Sequence, residues 1–152
     1  MPINLDFVGR TLPPSEPYEV SREKIREFAE AIGDNNAAYT SIEAARSLGY
    51  VDVVAPPTFA IVMAMRLHHA LVRNPELGLD YSRVVHGEQQ FVHHRPIGAG
   101  DVLVGTPRVD DIKTRGGNDM LTWSADIATV EGEPVCRLTS TLVSRGTAVA
   151  AS

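Results

Sequence analysis

The chain has 152 residues, 43% of them hydrophobic and 22% charged, which suits one globular domain with a core of its own and excludes a two-domain arrangement. Its formal charge is −5, from 14 basic and 19 acidic residues, so there is no broad basic face for a phosphate backbone and nucleic acid is not an expected partner. The single cysteine, Cys136, cannot form an intrachain disulfide, and a reducing, cytoplasmic setting is expected.

Met1 to Arg10 carries Asp6 and no apolar run behind a basic patch, so neither a signal nor a transit peptide is expected. Pro13 to Pro17 reads as an extended lead-in. A first helix follows: Ser21 can cap it, Glu23 suits its positive end, and Ile25, Phe28, Ala29 and Ile32 keep helical spacing until Gly33 stops it. Asp34, Asn35 and Asn36 then predict a compact polar turn, and Ser41 to Leu48 a short second helix ended by Gly49.

Ala55-Pro56-Pro57-Thr58-Phe59 precedes a helix-period set, Phe59, Val62, Met63, Arg66, Leu67 and Ala70. The first half of this helix is apolar on most sides, so it belongs inside the protein with something wrapped around it. The apolar stretch Val53 to Met65 falls short of a bilayer span, and no membrane is expected as a partner.

After Asn74-Pro75 the period becomes alternating, with strands predicted at Val84–His94, Val102–Lys113, Met120–Val130 and Pro134–Ser144. Gly116 to Asp119 and Glu131 to Glu133 are hairpin turns, making the C-terminal half an antiparallel meander. Thr147 to Ser152 is weakly patterned and expected to fray. The order of elements fits an α+β hot-dog fold, a long antiparallel sheet wrapped around a central helix, in a single domain over residues 1–152.

No zinc, dinucleotide or nucleotide-triphosphate motif occurs, His68-His69 and His93-His94 cannot chelate as pairs, and neither metal nor cofactor is expected. His93 and His94 read as one inward and one solvated strand residue, and Cys136 as a buried inert thiol. In Gly33-Asp34-Asn35-Asn36, a helix stop followed by an Asx-type turn accounts for the residues. A carboxylate there could also act as a general base if it faced a cavity, and periodicity does not decide between the two.

The segment from Gly33 to Tyr39 resembles the hydratase motif of the MaoC-like (R)-specific hydratase/dehydratase superfamily, Ser/Thr-Gly-Asp-x-Asn-Pro-Ile/Leu-His, with Gly33, Asp34 and Asn36 in register. Phe91 to Asp101 resembles the strand and turn after the central helix. Ala55 to Phe59 resembles the start of that helix in the N-terminal, FAS1-like dehydratase type, the substrate-binding subunit. The resemblance runs from about Val8 to Arg145 and implies a hot-dog domain that binds an acyl thioester of coenzyme A or acyl carrier protein beside the central helix. In that family an Asp and a His hold the water added to or removed from the 2,3 bond, and an amide at the helix start polarises the thioester carbonyl.

By that resemblance the catalytic candidates are Asp34, Asn36 and Tyr39, and the substrate-binding candidates Pro57, Thr58, Phe59, Val62 and Met63. Two departures matter. Tyr39 stands at the histidine position and is a poor proton shuttle at neutral pH; Pro57 stands where catalytic members have a glycine amide, and proline has no N–H. These departures are similar to those of the substrate-binding subunit in heterodimeric (R)-3-hydroxyacyl carrier protein dehydratases. The expected function is therefore an acyl-thioester-binding subunit, degenerate alone, in a homodimer or in a heterodimer with a catalytic hot-dog subunit. The alternatives are a self-sufficient homodimeric hydratase using Asp34 and a non-catalytic thioester-binding module.

Overall fold

A computed structural model of the protein describes residues 3–148. Helix α1, Arg22–Ile32, begins where the Ser21 hydroxyl accepts from the Lys24 amide at 3.1 Å, and ends at Gly33, whose φ of 73° lets its amide reach back to Ala29 and Glu30. Ile25 and Ala29 are buried, but Ile32 is half exposed, so the apolar face is narrower than its spacing suggests. Helix α2, Ile42–Ser47, is capped in the same way by Ser41.

The central helix α3 spans Ile61–Val72 and starts later than the apolar spacing predicts. Pro57 has no amide to donate, and the chain after it winds through tight i→i−3 bonds, Phe59 to Pro56 at 2.9 Å and Ile61 to Thr58 at 3.0 Å, before regular helix sets in.

Two-residue β1, Tyr18–Glu19, joins four long strands, β2 Val84–His93, β3 Val102–Arg115, β4 Asn118–Thr129 and β5 Pro134–Ser144, in an antiparallel sheet of order β1-β3-β4-β5-β2. The β3–β4 turn is tighter than expected. Gly116 and Gly117, at φ 59° and 80°, supply the paired left-handed conformations of a two-residue hairpin, which frees Asn118 and Asp119 to enter the strand.

Alternation along β5 places Cys136, Leu138, Ser140, Leu142 and Ser144 on the concave side, paired with Ile127, Ala125, Trp123, Leu121 and Asp119 of β4. Helix α3 packs into this concavity. It approaches closely at Gly105, where a Cβ would sit 2.7 Å from Leu67 Cδ1 and 2.9 Å from Ile127 Cδ1, so the absent side chain makes room for the helix. The result is the hot-dog arrangement expected from the element order.

The edges of the sheet differ. Residues 9–15 run along β3 and bond to it through Gly9, Leu12 and Ser15, each at 2.8 Å, whereas β2 has a neighbour only on its β5 side among the described residues. At the start of the tail expected to fray, the Thr147 hydroxyl donates to Asp119 at 2.8 Å; residues 149–152 of that predicted tail lie outside the described residues. Among the described residues no helix is long and apolar enough to cross a membrane.

Candidate functional site

The polar turn after α1 is built as a ladder of side-chain acceptors. Asp34 Oδ1 accepts from the Asn36 amide at 3.2 Å, and Asn36 Oδ1 accepts from the Ala38 amide at 3.0 Å, opening a 3-10 turn over Ala37–Tyr39. This turn delivers Asn36 and Tyr39 to the wall of a cavity of about 480 Å³ at the start of α3, together with Tyr50, Pro57, His93 and His94. Asp34 is exposed and is not part of that wall.

Tyr39 is buried, and burial first, then the negative charge of Asp34, pushes its phenol above the ordinary tyrosine range. It therefore stays protonated at neutral pH and offers a hydrogen bond rather than a base. At the helix start, Pro57 has no amide and the Phe59 amide is engaged by the Pro56 carbonyl. The Pro57 carbonyl is taken as well: His93 Nε2 donates to it at 2.7 Å, which places the ring proton on Nε2 because a carbonyl can only accept. This bond ties β2 to the turn before α3.

The other candidate contacts lie elsewhere. Thr58 is exposed, and Phe59 and Met63 are fully buried, Phe59 meeting Phe28 edge to face at 5.4 Å between ring centroids. Val62 packs at the border of the core. None of the four lines the helix-start cavity. The face that α3 turns towards a second, smaller cavity consists of Ile61, Ala64, Met65 and His68, at the i, i+3, i+4, i+7 spacing.

His93 and His94, read from the sequence as one inward and one solvated residue, both stand on the wall of the helix-start cavity. Register places His93 in the inward row, opposite Cys136. Its partner Pro57 is 36 residues away, and the only sequence signal for the pair was that each lies in a segment with family resemblance.

Arg95, on the cavity wall, is occupied, and so are several basic groups elsewhere. Arg95 grips Asp101 with two bonds, 2.9 and 3.0 Å, and Glu133 with a third at 2.7 Å, and the Asp101 bonds hold its pKa above the ordinary value. Lys113 pairs with Asp111 at 2.7 Å, Arg83 with Asp80 at 3.4 Å, and Arg66 lies over the Tyr18 ring. The Cys136 thiol is buried and pushed up to about 11, so it is no nucleophile at neutral pH. Among the described residues no three His, Cys, Asp or Glu side chains converge as a metal site would require.

The profile of the FAS1-like, dehydratase domain region matches residues 6–138. The chain belongs to this family of MaoC-like hot-dog dehydratases. The family member is 62% identical over 148 residues to a UPF0336 protein of Saccharopolyspora erythraea, a match covering 97% of this chain and 95% of that one. A UPF0336 protein of Streptomyces avermitilis is 50% identical over 145 residues, covering 95% and 97%.

Among solved structures, a chain of the C-terminally truncated HadBC (3R-hydroxyacyl-ACP dehydratase) complex from Mycobacterium tuberculosis superposes with a TM-score of 0.83 at 32% identity, over 91% of this chain and 97% of that one. A MaoC-like dehydratase matches with the same TM-score at 34% identity, over 91% of this chain and 42% of the other. These relatives support a hydratase or dehydratase role.

Proposed function

We propose that the chain is the acyl-thioester-binding subunit of a (R)-3-hydroxyacyl-thioester dehydratase or enoyl hydratase, and that a companion hot-dog subunit supplies the proton-transferring pair. One observation carries this reading. At the two positions where the family motif places its histidine and its helix-start amide, this chain has a protonated phenol, Tyr39, and a proline without an N–H, Pro57, and the Phe59 amide nearby is already bonded to Pro56.

Removing a C2 proton while a hydroxyl departs takes a base, an acid and a donor for the thioester oxygen. Tyr39 can donate, but it cannot accept a proton at neutral pH. Asp34 stands outside the cavity wall with a carboxylate oxygen engaged by the turn. The chain's contribution is then to hold the acyl group and to complete the partner's site.

The bare edge of β2 suits the second part of this role, since a partner strand added there would continue the sheet. The HadBC and ChsH1-ChsH2 complexes among the structural neighbours are assemblies of two different subunits.

The test is hydration of crotonyl thioesters of coenzyme A and of acyl carrier protein by the purified chain, alone and mixed with a hot-dog subunit that carries an intact Gly-Asp-x-Asn-Pro-x-His motif. Turnover only in the mixture is expected. Full turnover by the chain alone, abolished by Asp34→Asn, would establish a self-sufficient hydratase instead. Thermal stabilisation by acyl thioesters without product in any pairing would mark a binding module.

A further inference from the structure

The second cavity, about 180 Å³, lies between the Ile61, Ala64, Met65, His68 face of α3 and the inward rows of β2, β4 and β5. Its helix side is mostly apolar, but two polar groups that line it are buried without partners: the indole N–H of Trp123, a residue only 1% exposed, and the Oε1 atom of Gln89. They lie on one cross-strand row, Trp123 on β4 and Gln89 on β2, with Ser140 of β5 between them. Trp123 pairs with Ser140, and Ser140 pairs with Gln89.

The polar groups around them do not fill the need. Ser140 Oγ is bonded to His86 Nε2 at 2.8 Å, and the His68 ring packs on Tyr81 with centroids 6.2 Å apart. An indole N–H only donates and an amide oxygen only accepts, so this cavity lacks one acceptor and one donor. A buried polar group without a partner is costly, and two on one cavity wall call for an occupant that satisfies both.

Of the polar groups an acyl chain can carry, a hydroxyl does so, accepting from Trp123 and donating to Gln89. A carbonyl would leave Gln89 unpaired. A carboxylate would also leave it unpaired, since it has no proton to donate.

We infer that the side cavity is a subsite for the distal part of an acyl chain that carries a hydroxyl group, read by Trp123 and Gln89. This rests on the acyl-thioester reading above and narrows its substrate class. Ala64 lies seven residues beyond Pro57, about 10 Å at roughly 1.5 Å of rise per residue, which an extended alkyl chain would cover with on the order of eight carbons at about 1.25 Å each.

Trp123 is the only tryptophan in the chain, so its fluorescence reports directly on the subsite. The experiment titrates the chain, alone and with its catalytic partner, with octanoyl and decanoyl coenzyme A and with their ω-hydroxy and (ω−1)-hydroxy counterparts, following tryptophan emission and calorimetric affinity. A hydroxylated chain binding about tenfold more tightly than its plain counterpart, with a shift in Trp123 emission, is the expected result.

Gln89→Leu should then erase that preference. Trp123→Phe should do the same by calorimetry, without reliance on the lost fluorophore. Equal affinities with unchanged emission would overturn the inference and leave ordered water as the partner of both groups. No binding of any thioester, to the chain or to the complex, would overturn the acyl-binding function itself and the subsite with it.

Discussion

The cavity at the start of α3 is the larger of the two, about 480 Å³ against about 180 Å³, and several polar groups around the helix start already have partners. The Pro57 carbonyl is held by His93, the Phe59 amide by Pro56, and the Asn36 side chain by Ala38. The side cavity has the opposite character, with room for little but an indole N–H and an amide oxygen still without partners. The contrast teaches that volume and chemical demand are separate properties: the first cavity has more room, while the second carries the unmet polar groups.

The strongest way to break the comparison is to remove the core beneath the larger cavity. Phe59→Ala deletes a fully buried ring at the entry to α3 and should lower unfolding free energy by about 3–5 kcal/mol, read from urea midpoints. Tryptophan emission of the fraction still folded would show whether the side cavity survives independently. Arg95→Met comes next. It keeps the stem but removes four bonds to Asp101 and Glu133, with a side chain 28% exposed, and should cost about 1–3 kcal/mol.

His93→Phe removes one bond at a more exposed position and should cost about 0.5–1.5 kcal/mol in stability. It should reduce partner-dependent hydration more than it reduces stability, because the turn at Pro57 is no longer tied to β2. Unchanged hydration would show that the tie is only structural.

The smallest effect belongs to the side cavity. Burial, reinforced by the nearby charges of His69 and His86, holds the His68 imidazole below its ordinary value of about 6.5. The unfolded chain therefore binds more protons just below that pH, and stability falls as pH drops from about 6.5 towards the folded value. His68→Phe should flatten this part of the stability profile, measured by urea unfolding at a series of pH values; a slope equal to that of the parent would place the pH dependence elsewhere.

Most of the scaffold could be read along the chain because it is set by near neighbours. Ser21 and Ser41 cap the helices they were expected to cap, Gly33 ends α1, and the four long strands lie within about two residues of their alternating patterns. The misplacements have local causes too, such as the tight bonds that delay α3 and the glycine pair that shortens the β3–β4 turn. The candidate site was less legible. Asn36, Tyr39 and Pro57 meet at one cavity, but Asp34 stands outside it, and the face that α3 presents to the side cavity is not the Phe59, Val62, Met63 face.

By itself the sequence determined the order of elements, the wrapped helix and the two residues, Tyr39 and Pro57, whose side-chain and backbone chemistry departs from a complete hydratase motif. Only the tertiary structure decided that His93 bonds the Pro57 carbonyl, that Arg95 is neutralised by Asp101 and Glu133, and that Trp123 and Gln89 share a wall. The reason is physical. Caps, turns and periodicity act over a few residues, whereas a hydrogen bond between residues 36 apart, or one left unmade inside a core, depends on how the sheet curls around the helix.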